Sequence, residues 1–271
     1  MQTIADNHIN YLRELEALTL EFGISEFIPH WQKDTALHKF IRYVADIMLE
    51  DGNSGKYKIS FGDDPVHPKW TIPLEAALVT YGIQDEVEWE IPKVPPIETT
   101  RDGITYVNDA PELRDACYEY FQWMRLTQAY GDLLHRISDE VFFVMFTNRV
   151  VLQNLHKYLS FSVTESSMDY VEAEHPELVK FYTKSGRMRR TTIPMWARRA
   201  IFFRDRGLCT ECKKDISGLL NPFSKENYDH IVPLAEGGLN DVTNLQLLCE
   251  GCNNEKSARL EPTSNRYQRW F

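Results

Sequence analysis

Four cysteines form two Cys-x-x-Cys pairs, Cys209 with Cys212 and Cys249 with Cys252, and between them lies the stretch YDHIVPLAEGG, Tyr228 to Gly238. Each pair is short enough for both sulfurs to reach one tetrahedral ion, so the four thiols predict a structural zinc site. In a reducing compartment this pattern reads as a metal site rather than as two disulfides. The 36 residues between Cys212 and Cys249 exceed the roughly 15 to 20 of a simple zinc ribbon, so the enclosed loop must hold structure of its own. With four thiols completing the site, His230 is not needed as a ligand and is free for proton transfer, which a neutral imidazole can perform near pH 7. A satisfied structural histidine or a zinc ligand is the plainer alternative.

The elements that must position these groups can be read from the same region. YDHIV reads as a short strand, AEGGLNDVT as a polar turn, NLQLLC as a second strand and CNNEKSARL as the start of a helix. The result is a ββα unit clamped at both ends by the thiol pairs. Gly237 and Gly238 allow the connection between the strands to turn. Upstream, in PMWARRAIFFRDRG, Pro194 suits a first helical turn, with Met195, Ala200 and Phe203 facing inward and Arg198, Arg199, Arg204 and Arg206 in water.

Through IPMWARRAIFFRDRGLCTEC, DHIVPLAEGGLNDVTNLQLLC and CNNEKS, the segment from about Ile193 to Leu260 resembles the HNH endonucleases, whose small metal-dependent site has this ββα order. The resemblance implies a metal-dependent endonuclease that hydrolyses DNA phosphodiester bonds, with His230 as the general base. It further implies that Asp229 supplies one ligand to the catalytic ion and Asn253 the second. Asn253 stands where the name-giving form has His, making an HNN variant. Oxygen ligands suit a hard ion, so the expected catalytic metal is Mg²⁺, with Mn²⁺ able to substitute. Asn254 is the alternative ligand, although the Asn-x-x-Lys spacing to Lys256 favours Asn253. Asn244, the middle Asn of the motif, is expected to fix the turn and orient His230 by a side-chain hydrogen bond; an ordinary turn Asn is the plainer reading. Lys256, Arg259, Arg198 and Arg199 are the expected nucleic-acid contacts, a solvated lysine being the plainer reading of Lys256. The competing function is a catalytically inactive, zinc-stapled nucleic-acid-binding or adaptor module. Against it stands the joint presence of Asp229, His230, Asn244, Asn253 and Lys256.

Charge divides the chain. From Lys184 to Phe271 there are 15 Lys and Arg against 10 Asp and Glu, a balance of +5, which leaves −15 on the rest of a chain whose net charge is −10. Phosphate binding needs positive surface, so the basic part is the one suited to DNA. The polar, basic run SGRMRRTTIP predicts a boundary, with a mainly helical, acidic domain over residues 1–184 and the nuclease domain over 185–271, an α+β chain overall. In the acidic part, helices are expected over residues 9–22 and 37–48 and a short strand near 56–61. Residues 73–81 read as a helix or a buried strand, 90–106 as extended pieces, and 111–158 as one or two long helices broken near Gly131. Cys117 is expected in the core, and Asp63, Asp64 and His67 in a polar loop rather than a metal site. The acidic domain is expected to bind a protein partner, support a homodimer or restrain the nuclease. That layout resembles bacterial antiphage defence effectors and restriction enzymes. No apolar run of about 18 residues predicts a membrane span, and MQTIADNHIN does not read as a secretory signal, so the expected location is cytoplasmic.

Overall fold

The structure is a computed structural model, and it describes residues 23–52, 57–59, 69–84, 87–89, 97–101, 104–108, 110–216 and 228–265. The expected helix over residues 9–22 and the loop with Asp63, Asp64 and His67 lie outside the described residues. The helices are α1 (Ala36–Gly52), α2 (Pro73–Thr80), α3 (Pro111–Met124), α4 (Gln128–Met145), α5 (Arg149–Glu165), α6 (Met168–Glu174), α7 (Met195–Arg204) and α8 (Glu250–Lys256). Among the described residues three antiparallel pairs supply the strands: β1 (Tyr57–Ile59) with β2 (Lys69–Thr71), β3 (Ile97–Arg101) with β4 (Ile104–Asn108), and β5 (Tyr228–His230) with β6 (Leu245–Leu247). Helices dominate, and the α+β class holds. Among the described residues no helix is long and apolar enough to cross a membrane.

Local chemistry sets the helix ends. Leu37, Phe40 and Ile41 bury one face of α1 at i, i+3, i+4 spacing, and the helix, expected over residues 37–48, runs on to Asp51-Gly52. Residues 111–165 form three helices rather than one or two, because side chains cap the breaks. The Thr127 hydroxyl donates to Met124 O at 2.7 Å and accepts from Tyr130 N at 3.2 Å, ending α3 and opening α4. Asn148 Oδ1 accepts from Val151 N at 3.2 Å to open α5. Gly131 lies inside α4 and does not break it: a Cβ there would meet nothing closer than 4.0 Å, so the helix loses only the roughly 0.5–1 kcal/mol of a mid-helix glycine.

The described chain divides into two compact units, residues up to Phe40 together with Val141–Phe271, and Ile41–Glu140. The expected boundary between residues 184 and 185 therefore lies inside the first unit. The reason is α5. Its buried Arg149, Gln153 and His156 share one helical face at i, i+4, i+7, and their polar groups find partners beyond residue 185: Asp205 Oδ1 at 3.0 Å, Glu261 O at 2.6 Å and Thr243 Oγ1 at 2.7 Å. The second unit has its own core around Leu74, Leu113, Cys117, Phe121 and Leu133, so Cys117 is buried as expected.

The apolar core beneath the thiol region contains Ile193, Ala197, Ile201, Tyr228, Leu245 and Leu247. It corrects the expected face of α7. Ala197, Arg198, Ile201 and Arg204 point inward, whereas Phe203 is 75% exposed. Arg204 can be buried because it forks onto Asp205 at 2.9 Å twice and donates to Leu245 O at 2.6 Å.

Candidate metal and nuclease centre

The two thiol pairs meet. After α7 the chain folds back through an isolated Leu208–Asp215 bridge, and Cys209 N donates to Lys214 O at 3.0 Å. Cys249 precedes α8 and Cys252 sits in its first turn. Thr210 N donates to Leu247 O at 2.9 Å, which joins the first pair to the end of β6 just before the second. All four sulfurs lie within 4.8 Å of one another, and those of Cys212 and Cys249 are 3.7 Å apart. A tetrahedron of Zn–S bonds of about 2.3 Å puts its sulfurs about 3.8 Å apart, so the cluster fits zinc. The backbone N–H of Cys252 draws the Cys249 thiol down to about 7, while burial pushes Cys209 up.

Between the pairs, β5 and β6 register Asp229 against Gln246 and His230 against Leu245, and α8 follows, giving the expected ββα order. The expected polar turn between the strands is buried. From Gly237 to Asn244 every residue is buried, with short 3₁₀ turns at Leu234–Glu236 and Val242–Asn244. Both glycines are required by close approach. Gly237 has φ of 80°, and a Cβ on it would lie 2.7 Å from Ser160 O of α5; a Cβ on Gly238 would lie 1.9 Å from Val232 O.

A cleft of about 670 Å³ opens beside this unit, lined among others by Asp229, His230, Asn253, Asn254, Arg190 and Glu250. The structure thus brings together three of the expected catalytic residues, and Asn253 and Asn254 both border the site. Neighbours on a strand alternate faces, yet Asp229 and His230 both line the cleft. Asp229 Oδ2 is engaged twice, by Lys256 Nζ at 2.8 Å and by Gln246 Nε2 at 3.0 Å. Oδ1 takes neither bond.

His230 is 5% exposed, and its Nε2 lies 3.2 Å from Asn240 Oδ1. Burial drives its pKa down to about 3, helped by the nearby charges of Arg190 and Lys256. The ring is therefore neutral near pH 7. Asn244 does not make the expected bond to His230. Its Oδ1 accepts from Val232 N at 2.8 Å and its Nδ2 donates to Val232 O and Leu239 O at 3.0 Å, so it staples the buried connection. The side chain that bonds His230 is Asn240, four residues earlier. Its only signal in the sequence is that it is polar within a turn, which Asn244 shares.

The expected nucleic-acid contacts divide. Arg199 and Arg259 are exposed, the latter paired with Glu261 at 3.2 Å. Lys256 is 3% exposed and is spent on Asp229 and on His230 O at 2.8 Å, which corrects its expected role at a phosphate. Arg198 is 6% exposed with its Nε on Ile193 O at 3.0 Å, so it too is structural. Sequence reasoning missed Arg190, exposed on the cleft, because the basic run SGRMRR looked like a boundary.

A buried ββα unit thus carries a thiol cluster at its ends and an Asp-His-Asn cleft on one side. Residues 209–259 match the family model for HNH endonuclease, so this region carries an HNH endonuclease domain. No curated protein and no solved structure matches the chain.

Proposed function

We propose that the protein is a metal-dependent HNH endonuclease that cuts or nicks DNA in the cleft beside β5 and α8. The observation that carries this reading is the convergence of Asp229, His230 and Asn253 on one cleft, apart from four cysteines that can hold a structural zinc by themselves. Asp229 and Asn253 would hold a hard divalent cation such as Mg²⁺, or Mn²⁺ in its place; such an ion supplies charge for the phosphate and for the leaving oxygen. The chain's own groups do the rest. His230, neutral at neutral pH, accepts a proton from the attacking water. An entering phosphate brings negative charge into the site, which raises the imidazole pKa toward that task. Arg190 on the cleft, together with the exposed Arg199 and Arg259, supplies positive surface for the DNA backbone.

The inactive binding or adaptor module remains as a second reading, and one observation favours it: Lys256 already neutralises Asp229 without a cation. Supercoiled plasmid incubated with the purified protein separates the two. Nicking that appears with Mg²⁺ and disappears with EDTA supports the enzyme; intact plasmid with every divalent cation supports the module. The helical unit over Ile41–Glu140 would bind a partner, support a homodimer or restrain the nuclease, in a layout suited to cytoplasmic antiphage defence. Phage plating efficiency on cells with and without the protein tests that extension.

A further inference from the structure

The contact between His230 Nε2 and Asn240 Oδ1, at 3.2 Å, fixes more than a position. Nδ2 of the same amide donates to the main-chain oxygen of Arg189 at 2.8 Å. A carbonyl oxygen only accepts, so Nδ2 must face Arg189 and Oδ1 must face His230; the amide turned over would set oxygen against oxygen. Oδ1 in turn only accepts, so the His230 nitrogen facing it must carry the proton. In a neutral ring that leaves Nδ1 with the lone pair.

The acceptor cannot easily move away. Asn240 is 3% exposed, and its own main-chain oxygen accepts from Trp31 N at 2.9 Å. The next residue, Asp241, is held on both oxygens: Oδ1 accepts from Thr243 N and Oγ1 at 2.8 and 2.6 Å, and Oδ2 from Ala36 N at 2.9 Å. The His230 main-chain oxygen is fixed by Lys256 at 2.8 Å. Segments far apart in sequence, at Trp31, Arg189 and Asn240, therefore converge on one imidazole.

We propose that Asn240 is the positioning residue for the general base: oriented by the Arg189 carbonyl, it holds His230 as the Nε2–H tautomer, so that Nδ1 takes the proton from water. This deepens the nuclease reading and rests on it. Asn244, the middle residue of the HNH motif, has a different task here, as its amide is committed to Val232 and Leu239.

The test uses full-length, zinc-loaded protein with ¹⁵N-labelled histidine, the His230 signals being assigned by their loss in His230→Gln. The expected spectrum has a pyridine-like Nδ1 and a protonated Nε2 in the wild type, and a mixture of tautomers in Asn240→Ala. The same substitution should lower kcat for plasmid nicking roughly 10- to 100-fold, the usual cost of removing a partner that orients a functional histidine, with KM unchanged. Asn240→Asp, with its second oxygen protonated to donate to the Arg189 carbonyl, still offers an acceptor to Nε2–H and should keep the tautomer and recover part of the rate; if the alanine variant loses its zinc or its fold, the aspartate variant alone decides between the outcomes. A protonated Nδ1 in the wild type or in Asn240→Asp overturns the proposal, as does an Asn240→Ala variant with unchanged tautomer and rate. Were the wild type to show the expected tautomer yet cut no DNA with any divalent ion, the nuclease reading would fail while the tautomer assignment stood.

Discussion

Arg149 donates from Nη1 to Oδ1 of Asp205 across 3.0 Å, with the two side chains 1% and 0% exposed. The same carboxylate also takes both donors of Arg204 and the Leu247 N–H at 2.9 Å, so one buried acid ties α5 and α7 to β6. Removing Arg149 leaves the carboxylate paired with Arg204 but takes away one buried charge-assisted hydrogen bond, at a cost of about 1.5–3 kcal/mol. Arg149→Ala is therefore expected to lose about that much stability in urea unfolding followed by circular dichroism. By the same reasoning a fragment of residues 185–271 should fail to fold, whereas one that adds residues 23–40 and 141–184 should not.

A second expectation concerns acid. Burial holds His156 near pKa 4, well below the 6.5 of an exposed histidine, while its Nε2 meets Thr243 Oγ1 at 2.7 Å. The folded-state pKa is depressed, so the unfolded chain binds more protons in the window between the two values. The stabilisation is fully present above about pH 6.5 and is lost as pH falls toward 4. Between pH 7.5 and pH 5 it amounts to about 2 kcal/mol for this residue. Since His30 and His230 are also depressed, the measurement is a difference: unfolding free energies at both pH values for the wild type and for His156→Asn, in which the slope should be shallower.

Metal removal should act on folding before it acts on chemistry. The thiol cluster ties the turn at Cys209 to the start of α8, which carries Asn253 into the cleft. One zinc per chain is expected by metal analysis. Cys249→Ser should lower zinc content and melting temperature together, and competition with a chelator should release the metal more readily as pH falls, because the ligands bind as thiolates.

Two basic residues should separate binding from structure. Arg190→Ala is expected to leave the melting temperature unchanged, weaken DNA binding and reduce the slope of log K against log salt by about 1. Lys256→Ala should instead destabilise the fold by about 3–5 kcal/mol, because it leaves Asp229 without its buried cation. Equal salt slopes for wild type and Arg190→Ala would remove Arg190 from the interface.

How much of this was readable in the chain depends on whether the signal is local. Two Cys-x-x-Cys pairs, an Asp-His before an apolar pair, and Asn253 at a helix start each declare themselves within a few residues, so the ββα order and the thiol cluster follow from local spacing, whereas the grouping of Asp229, His230 and Asn253 at one site came only from the resemblance to the HNH endonucleases. Lys256 and Arg198 look like solvated cations until the fold supplies Asp229 and the Ile193 carbonyl. The partners of Arg149, Gln153 and His156 lie 56, 108 and 87 residues away, in Asp205, Glu261 and Thr243, so nothing local marks these three polar side chains as buried. The α5 contribution to the nuclease unit is tertiary information that periodicity does not carry.

The most direct test of the central claim is nicking of supercoiled plasmid by His230→Ala beside the wild type, with Mg²⁺ and with EDTA. His230 contributes a side chain at the cleft rather than a zinc ligand, so the variant should keep its zinc and its fold. Loss of a general base predicts a rate lowered by about 10² to 10⁴. Metal-dependent nicking by His230→Ala at the wild-type rate would contradict the account.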